Sequence, residues 1–164
     1  MSQQVHIVEL KPEDAASLLS FYHSLSPEVT AVFLPFDTVS RDTLDTHLAE
    51  AAKGIHVSLG LVAASGEIVG HAFIANIHSL APTLGIGLRD AYIGQGYGRM
   101  LMEHLLSMAD AKGLPVVTLT VVKSNERALR LYLRLGFRIV GEASFRAAND
   151  SWYMERRVQT QPTP

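Results

Sequence analysis

A chain of 164 residues, 48% hydrophobic and 18% charged against about 25% charged in a typical soluble domain, is long enough for a substantial core and too apolar for disorder. The formal net charge of −2 gives no support for nucleic acid or an acidic membrane surface as the main partner, and the absence of cysteine excludes disulfides, thiolate metal sites and a cysteine nucleophile. The N-terminal MSQQVHIVEL lacks the basic region and apolar run of a signal peptide, and no stretch reaches the ~18 apolar residues of a membrane span, so the cytoplasm is the expected compartment.

Val5 to Leu10 alternates apolar and polar residues and predicts a first strand, ended by Lys11-Pro12. A helix follows, with Pro12, Glu13 and Asp14 in its first turn and Ala15, Leu18, Leu19 and Tyr22 as its apolar stripe, until Pro27 stops it. Pro27 to Phe36 has no period, yet Val32, Phe33, Leu34 and Phe36 are too apolar for a solvated loop. Asp42 to Lys53 reads as a second helix ended by Gly54, and Val57 to Ala63 and Ile68 to Ile77 as strands joined by a hairpin through Ala64-Ser-Gly-Glu67. In the fourth strand Leu84, Ile86 and Leu88 alternate with Gly85, Gly87 and Arg89, which leaves one face almost bare and open to close approach.

That strand gives way to Gly94-Gln-Gly-Tyr-Gly98, and from Arg99 the residues Leu101, Met102, Leu105, Leu106 and Ala109 recur at helical spacing until Gly113-Leu-Pro115. Strand, glycine turn and helix together form an anion-binding layout, because glycines admit the positive φ that turns successive N–H groups inward and the first helical turn adds its own unpaired donors. Val116 to Val122 is the unbroken β-branched run of a central strand, parallel to the fourth through a right-handed crossover. A helix from Asn125 or Glu126 to Leu135 ends at Gly136, and Phe137 to Glu142 and Ser151 to Val158 close the chain as an antiparallel pair. The expected fold class is α/β (α+β): a mixed, mostly antiparallel sheet of six to seven strands with helices on both faces and the fourth and fifth strands parallel. One domain should run from residue 1 to 158, followed by a frayed tail from Gln159 to Pro164.

Three readings compete for the glycine turn. A Walker loop fails, since Gly98 is followed by Arg99 and Met100 rather than Lys-Ser/Thr, and a dinucleotide fingerprint is weak, since the glycines are spaced G-x-G-x-G and the next strand closes on Lys123-Ser124 without an acidic ribose ligand. A tight connection with no ligand is the bland alternative. The third reading is a resemblance: Ile93-Gly-Gln-Gly-Tyr-Gly98 is similar to the Arg/Gln-x-x-Gly-x-Gly/Ala loop of the GNAT acyltransferase superfamily everywhere except its first position. Further on, Asn125, Ala128, Tyr132, Gly136 and Phe137 match a second signature of that superfamily, N-x-x-A-x-x-x-Y-x-x-x-G-F. Two motifs in the expected order make the resemblance specific, and it covers the chain from about Val5 to Val158, the N-terminal third only in its pattern of elements.

The resemblance implies an acetyl-CoA-dependent N-acetyltransferase acting on a primary amine of a small molecule or peptide, with acetyl-CoA as cosubstrate and no metal. It implies that the fourth and fifth strands splay and take the pantetheine arm between them, that a backbone N–H near Leu88 faces the thioester oxygen, and that the Leu88 to Asp90 backbone pairs with the pantetheine amides. Gly94, Gln95, Gly96, Tyr97, Gly98 and Arg99 would hold the pyrophosphate, and the Asn125 side chain the pantetheine arm, although Asn125 is also placed as a plain N-cap. Tyr132 is the candidate general acid for the departing thiolate; taken alone, a helical Tyr between Leu131 and Leu135 is more often a half-buried core aromatic. Ile93 departs from the family pattern, so a polar contribution at the pyrophosphate is missing or comes from Gln95 and Arg99.

No general base is assigned. His71 and His78 could accept a proton but read more simply as structural strand residues, Glu67 falls in a hairpin, and the scattered histidines lack close metal-ligand spacing. The acceptor should enter between Glu28 to Asp37 and Phe145 to Tyr153, with Phe33, Phe36, Phe145, Trp152 and Tyr153 as walls and Glu28, Asp37 and Asp150 as partners for an ammonium group, unless these aromatics merely close the core. A noncatalytic acyl-CoA-binding or sensing domain is the alternative function, and the assembly state is open, a homodimer included.

Overall fold

The computed structural model describes residues 4–158; the expected C-terminal tail lies outside the described residues. Seven strands form one sheet in the order β1-β2-β3-β4-β5-β7-β6. They are β1 Val5–Glu9, β2 Val57–Ala63, β3 Ile68–Ala75, β4 Thr83–Leu88, β5 Val116–Val122, β6 Arg138–Ala143 and β7 Ser151–Arg157. The helices are α1 Ala15–His23, α2 Pro27–Thr30, α3 Arg41–Ala52, α4 Tyr97–Ala111 and α5 Glu126–Arg134. Every neighbouring pair is antiparallel except β4 and β5, as the sequence predicts.

Elements fall close to their predicted bounds, with two informative shifts. The segment after α1 contains a helix that its apolar pattern hides: Ser26 caps the Val29 N–H through its hydroxyl at 3.3 Å, and Pro27 opens α2 instead of merely ending α1. Four residues are too few to show a period, so only the local cap signals mark it. In the glycine turn, α4 begins at Tyr97 rather than Arg99, because Gly96 at φ +89° already serves as its N-cap and its carbonyl accepts the Met100 N–H at 3.1 Å.

Two cores fill the two faces of the sheet. On one, Leu101, Met102, Leu105 and Ala109 of α4 and Tyr132 of α5 pack with Leu59, Leu61, Ile74, Leu119 and Met154 of the strands. On the other, Leu18 and Phe21 of α1 and Leu44 and Leu48 of α3 pack with Leu10, Ile68, Phe33 and Phe73. Each fully buried Leu or Phe contributes roughly 1.5–3 kcal/mol. The bare face of β4 is occupied by aromatic rings: a Cβ at Gly85 would lie 2.5 Å from Phe73 Cζ, and one at Gly87 would overlap the Phe33 ring.

The second face also carries a buried polar chain. The Tyr22 hydroxyl is hydrogen-bonded to His71 Nδ1 at 2.6 Å, His71 Nε2 to Ser58 Oγ at 2.8 Å, and Ser58 Oγ to His47 Nε2 at 3.0 Å. The His47 ring stacks on His56 with centroids 5.0 Å apart; His56 receives the Asn76 N–H at Nδ1, 3.0 Å, and donates from Nε2 to Glu50 at 2.7 Å. Burial holds His71 well below the ordinary histidine value, and burial first, then proximity to the His56 ring, brings His47 down to about 4. Among the described residues, no helix is long and apolar enough to cross a membrane.

Two outcomes follow from this packing. Both histidines are disfavoured as cations in the fold, so the unfolded chain binds more protons once the pH drops below about 6.5, and stability present above that pH is lost progressively toward pH ~4. His47, 5% exposed, accounts for about 3 kcal/mol of the loss. Denaturant unfolding from about pH 7.5 down to about pH 4.5 should show the decline, with a shallower slope in His47→Gln; a flat profile in the parent chain contradicts it. Separately, Gly87→Ala should destabilise by roughly 1–3 kcal/mol by lifting the Phe33 ring, and the penalty should shrink in a Phe33→Ala background, as a double-mutant unfolding cycle will measure.

Candidate active site

β4 and β5 are in register at a single pair, Thr83 with Thr118. Pro82 anchors this junction, its carbonyl accepting the Thr118 N–H at 2.8 Å and the Thr118 hydroxyl at 3.0 Å. Beyond it the strands diverge, and a cleft of about 680 Å³ opens between them. Main-chain direction in β4 follows from strand alternation: Pro82 turns its carbonyl toward β5, whereas the Arg89 N–H goes the other way, to Val69 O at 2.9 Å. The groups of Ile86 and Leu88, which share the parity of Pro82 and lie beyond the last pair, therefore face the opening.

The cleft has three stations. At one end lies the glycine turn, where Gly94, Gly96 and Gly98 all line the wall. Gly94 and Gly96 have φ of +80° and +89°, and a side chain at Gly94 would lie 2.7 Å from the Arg127 guanidinium. Space beside Gly96 is open, and at Gly98 a methyl would meet only Leu88 and Leu131 at 3.8 and 4.0 Å. The turn precedes α4, 15 residues long and without an acidic residue in its first turn to occupy its donors. The result is a cradle lined by main chain that a Cβ at Gly94 would obstruct, which fits a pyrophosphate.

Tyr132 lines the same cleft. The residue is only 8% exposed, and its hydroxyl forms no hydrogen bond among the described residues; since no buried side-chain oxygen or nitrogen there lacks a partner, the hydroxyl itself must reach the open space. Burial pushes its pKa up to about 12. Nearby, Asn125 lines the wall while its side-chain oxygen accepts the Ala128 N–H at 3.4 Å, a long cap that leaves the amide group available. α2 contributes Glu28 and Val29 to the wall, and the turn after it Val32 and Phe33.

Of the residues singled out from sequence, Leu88, Asp90, Gly94, Gly96, Gly98, Arg99, Asn125 and Tyr132 all line this one cleft. Gln95 and Tyr97 do not. The Gln95 amide donates to Ala91 O at 2.5 Å, and Tyr97 turns into the core beside Tyr92, ring centroids 5.8 Å apart. Arg99 is at the rim with its Nε donating to Glu103 at 2.8 Å. Ile93 is on the wall and 40% exposed, so the position carries no polar group.

The acceptor expectations divide. Glu28 and Phe33 line the cleft, whereas Asp37, Phe36, Phe145, Trp152 and Tyr153 do not. Asp150 is engaged elsewhere. Its carboxylate accepts the N–H groups of Phe145, Arg146 and Ala147 at 2.7 to 3.1 Å and the Ser151 hydroxyl at 2.8 Å, which closes the β6–β7 turn. Those bonds, led by the Arg146 N–H, hold its carboxyl well below the usual range. None of the three side chains weighed as a base reaches the cleft. His71 is sealed in its chain, His78 is hydrogen-bonded to Gly54 O at 3.1 Å, and Glu67 pairs with Arg89 at 3.2 Å. Sequence reading missed Arg127, Arg130 and Arg134, which line the cleft from α5. Their spacing of three and four residues was the available signal.

Comparison with known proteins agrees with this geometry. Residues 18–137 match the model of the Acetyltransferase (GNAT) family. The chain is 28% identical over 136 residues, 79% of its length and 77% of the relative's, to the L-methionine sulfoximine/L-methionine sulfone acetyltransferase of Pseudomonas paraeruginosa. It is 35% identical over 104 residues, 60% of its length and 64% of the relative's, to N-alpha-acetyltransferase RimI of Mycobacterium tuberculosis. Its fold superposes with a TM-score of 0.77 on the PaiA N-acetyltransferase of Thermoplasma acidophilum in complex with coenzyme A, at 16% identity, over 94% of this chain and 99% of that one. The glycine cradle, the splayed strands and the matched family model thus agree: the chain belongs to the acetyltransferase (GNAT) family and is an acetyltransferase.

Proposed function

We propose that the chain transfers an acetyl group from acetyl-CoA to a primary amine of a small molecule or peptide by direct attack of the amine on the thioester. The observation that carries the reading is that one cleft is lined at once by the glycine cradle, by Tyr132 and by Glu28 of α2. A donor held at one end and an acceptor at the other would meet beside Tyr132. In this reading the N–H groups of Gly96 to Arg99 take the pyrophosphate, Asn125 and the main chain from Leu88 to Asp90 take the pantetheine arm, and the Leu88 N–H polarises the thioester carbonyl.

The elevated pKa refines the part Tyr132 plays. A phenol near 12 surrenders its proton reluctantly to a thiolate, whose conjugate acid titrates near ~8.5. Its hydroxyl is better suited to donating a hydrogen bond that strengthens as negative charge collects on sulfur, while the attacking amine supplies the proton that sulfur finally takes. No side chain is needed as base if the acceptor amine arrives neutral. Glu28 is exposed and free of ion pairs among the described residues, so it would draw the cationic form of the acceptor to the mouth, where the ammonium gives its proton to water before the neutral amine attacks. The relatives supply two acceptor classes to test first, amino-acid amines and peptide N-termini.

Thiol release should be measured against amino acids, peptide N-termini, polyamines and amino sugars. On the best acceptor, Tyr132→Phe should lower kcat by about 10²-fold or more with a smaller change in KM for acetyl-CoA. Near-normal turnover with chemistry shown to be rate-limiting would remove Tyr132 from the mechanism. Glu28→Gln should raise the acceptor KM by roughly 10-fold and leave acetyl-CoA affinity unchanged. An acceptor KM indifferent to Glu28 would move the acceptor to another part of the wall.

A further inference from the structure

The cofactor reading leaves unexplained why α5 turns three arginines toward the cleft. Arg127, Arg130 and Arg134 lie on its wall, spaced three and four residues apart, so they form one row about 10 Å long on a single helix face. Two of them, Arg127 and Arg134, form no ion pair among the described residues, and Arg130 reaches only Glu126 at 3.9 Å, an exposed contact of little strength. Elsewhere among the described residues Arg41, Arg89, Arg99, Arg138, Arg156 and Arg157 each hold a carboxylate within 3.2 Å, and Arg146 donates to the Thr30 carbonyl at 2.7 Å.

Arg127 is also badly placed for a solvated charge. It sits in the first turn of α5, where the helix dipole disfavours a cation, and its Nη1 lies over Gly94 beside the N-terminal end of α4. Two helix ends and a guanidinium of one sign converge there, in a chain of net charge −2. An anion seated between them would be held by all three, with Glu126 the acidic residue in that turn of α5. The same spot is where Ile93 withholds the polar side chain that the loop pattern calls for.

We propose that this row is the charged half of the cofactor seat: Arg127 pairs with the pyrophosphate in place of the residue that Ile93 lacks, and Arg130 and Arg134 pair with the 3′-phosphate of the adenosine. The inference rests on acetyl-CoA being the donor and adds to it a specificity, recognition of the 3′-phosphate. Guanidinium suits such a site, since its planar fork bonds two phosphate oxygens at once.

Calorimetric titration with CoA and with dephospho-CoA tests it without reference to turnover. The parent chain should prefer CoA by about 10-fold or more, as expected for charge-assisted bonds to one phosphate dianion. The double variant Arg130→Gln/Arg134→Gln should bind the two ligands equally. Arg127→Gln should weaken both by about 10-fold, and Ile93→Arg in that background should recover most of the loss. Equal affinity of the parent chain for the two ligands, or an undiminished preference in the double variant, overturns the 3′-phosphate assignment while leaving acetyl-CoA as donor. Unchanged binding in Arg127→Gln, or no recovery with Ile93→Arg, overturns the replacement of position 93. Failure of the folded parent chain to bind CoA at all overturns the donor reading and this one with it. Melting curves of each variant establish that it is folded before titration.

Discussion

The architecture turns on one constraint, the arrest of pairing between β4 and β5 after Thr83 and Thr118. A parallel pair that continued would satisfy the main chain of both strands and leave no room between them. Here Thr118 spends both its N–H and its hydroxyl on Pro82 O, so the junction is fixed at its closed end and the divergence has a definite origin. The cleft is therefore a property of the sheet itself and does not depend on a loop adopting a particular shape. Groups that β4 would have given to a neighbour are left pointing into the opening, in fixed positions, which is the condition under which hydrogen-bond donors act on a developing charge without reorganising.

The sheet's two faces solve different problems around this opening. Toward α4 and α5 the fill is aliphatic, and the strand residues Leu84 and Leu88 lie between β4 and the helices. Toward α1 and α3 the strand presents glycine, and the Phe33 and Phe73 rings lie directly on the backbone. Behind them the chain from Tyr22 through His71 and Ser58 to His47 is fully hydrogen-bonded, as buried polar groups must be if they are not to destabilise. Its members come from α1, β2, β3 and α3, so it ties together those elements beneath Phe33, whose ring stacks on Tyr22 at the cleft wall.

How much of this the sequence disclosed depends on the range of the interaction. The strand, glycine turn and helix from Thr83 to Ala111 are local patterns, and so are the asparagine, tyrosine and glycine positions of α5; these were legible, and they converge on one cleft. Contacts between remote segments were not. Nothing local to Tyr22 announces His71, 49 residues away, and nothing local to Asp150 distinguishes a free carboxylate from one that closes a turn. The arginine row was overlooked for a different reason. Charged residues on a helix face are usually solvated, and only the position of Arg127 against Gly94 separates this case from that one.

The register shift in β6 between Ile139 and Gly141 carries a consequence for the sheet's free border. β6 is the outermost strand on its side, and Ile139 and Val140 are each 42% exposed there, the composition of a strand that would template another. The extra residue breaks the even run of donors and acceptors along that border and bends it, so an incoming strand finds no straight partner. The bulge thus disfavours strand addition at a border where the edge strand keeps apolar residues at the surface.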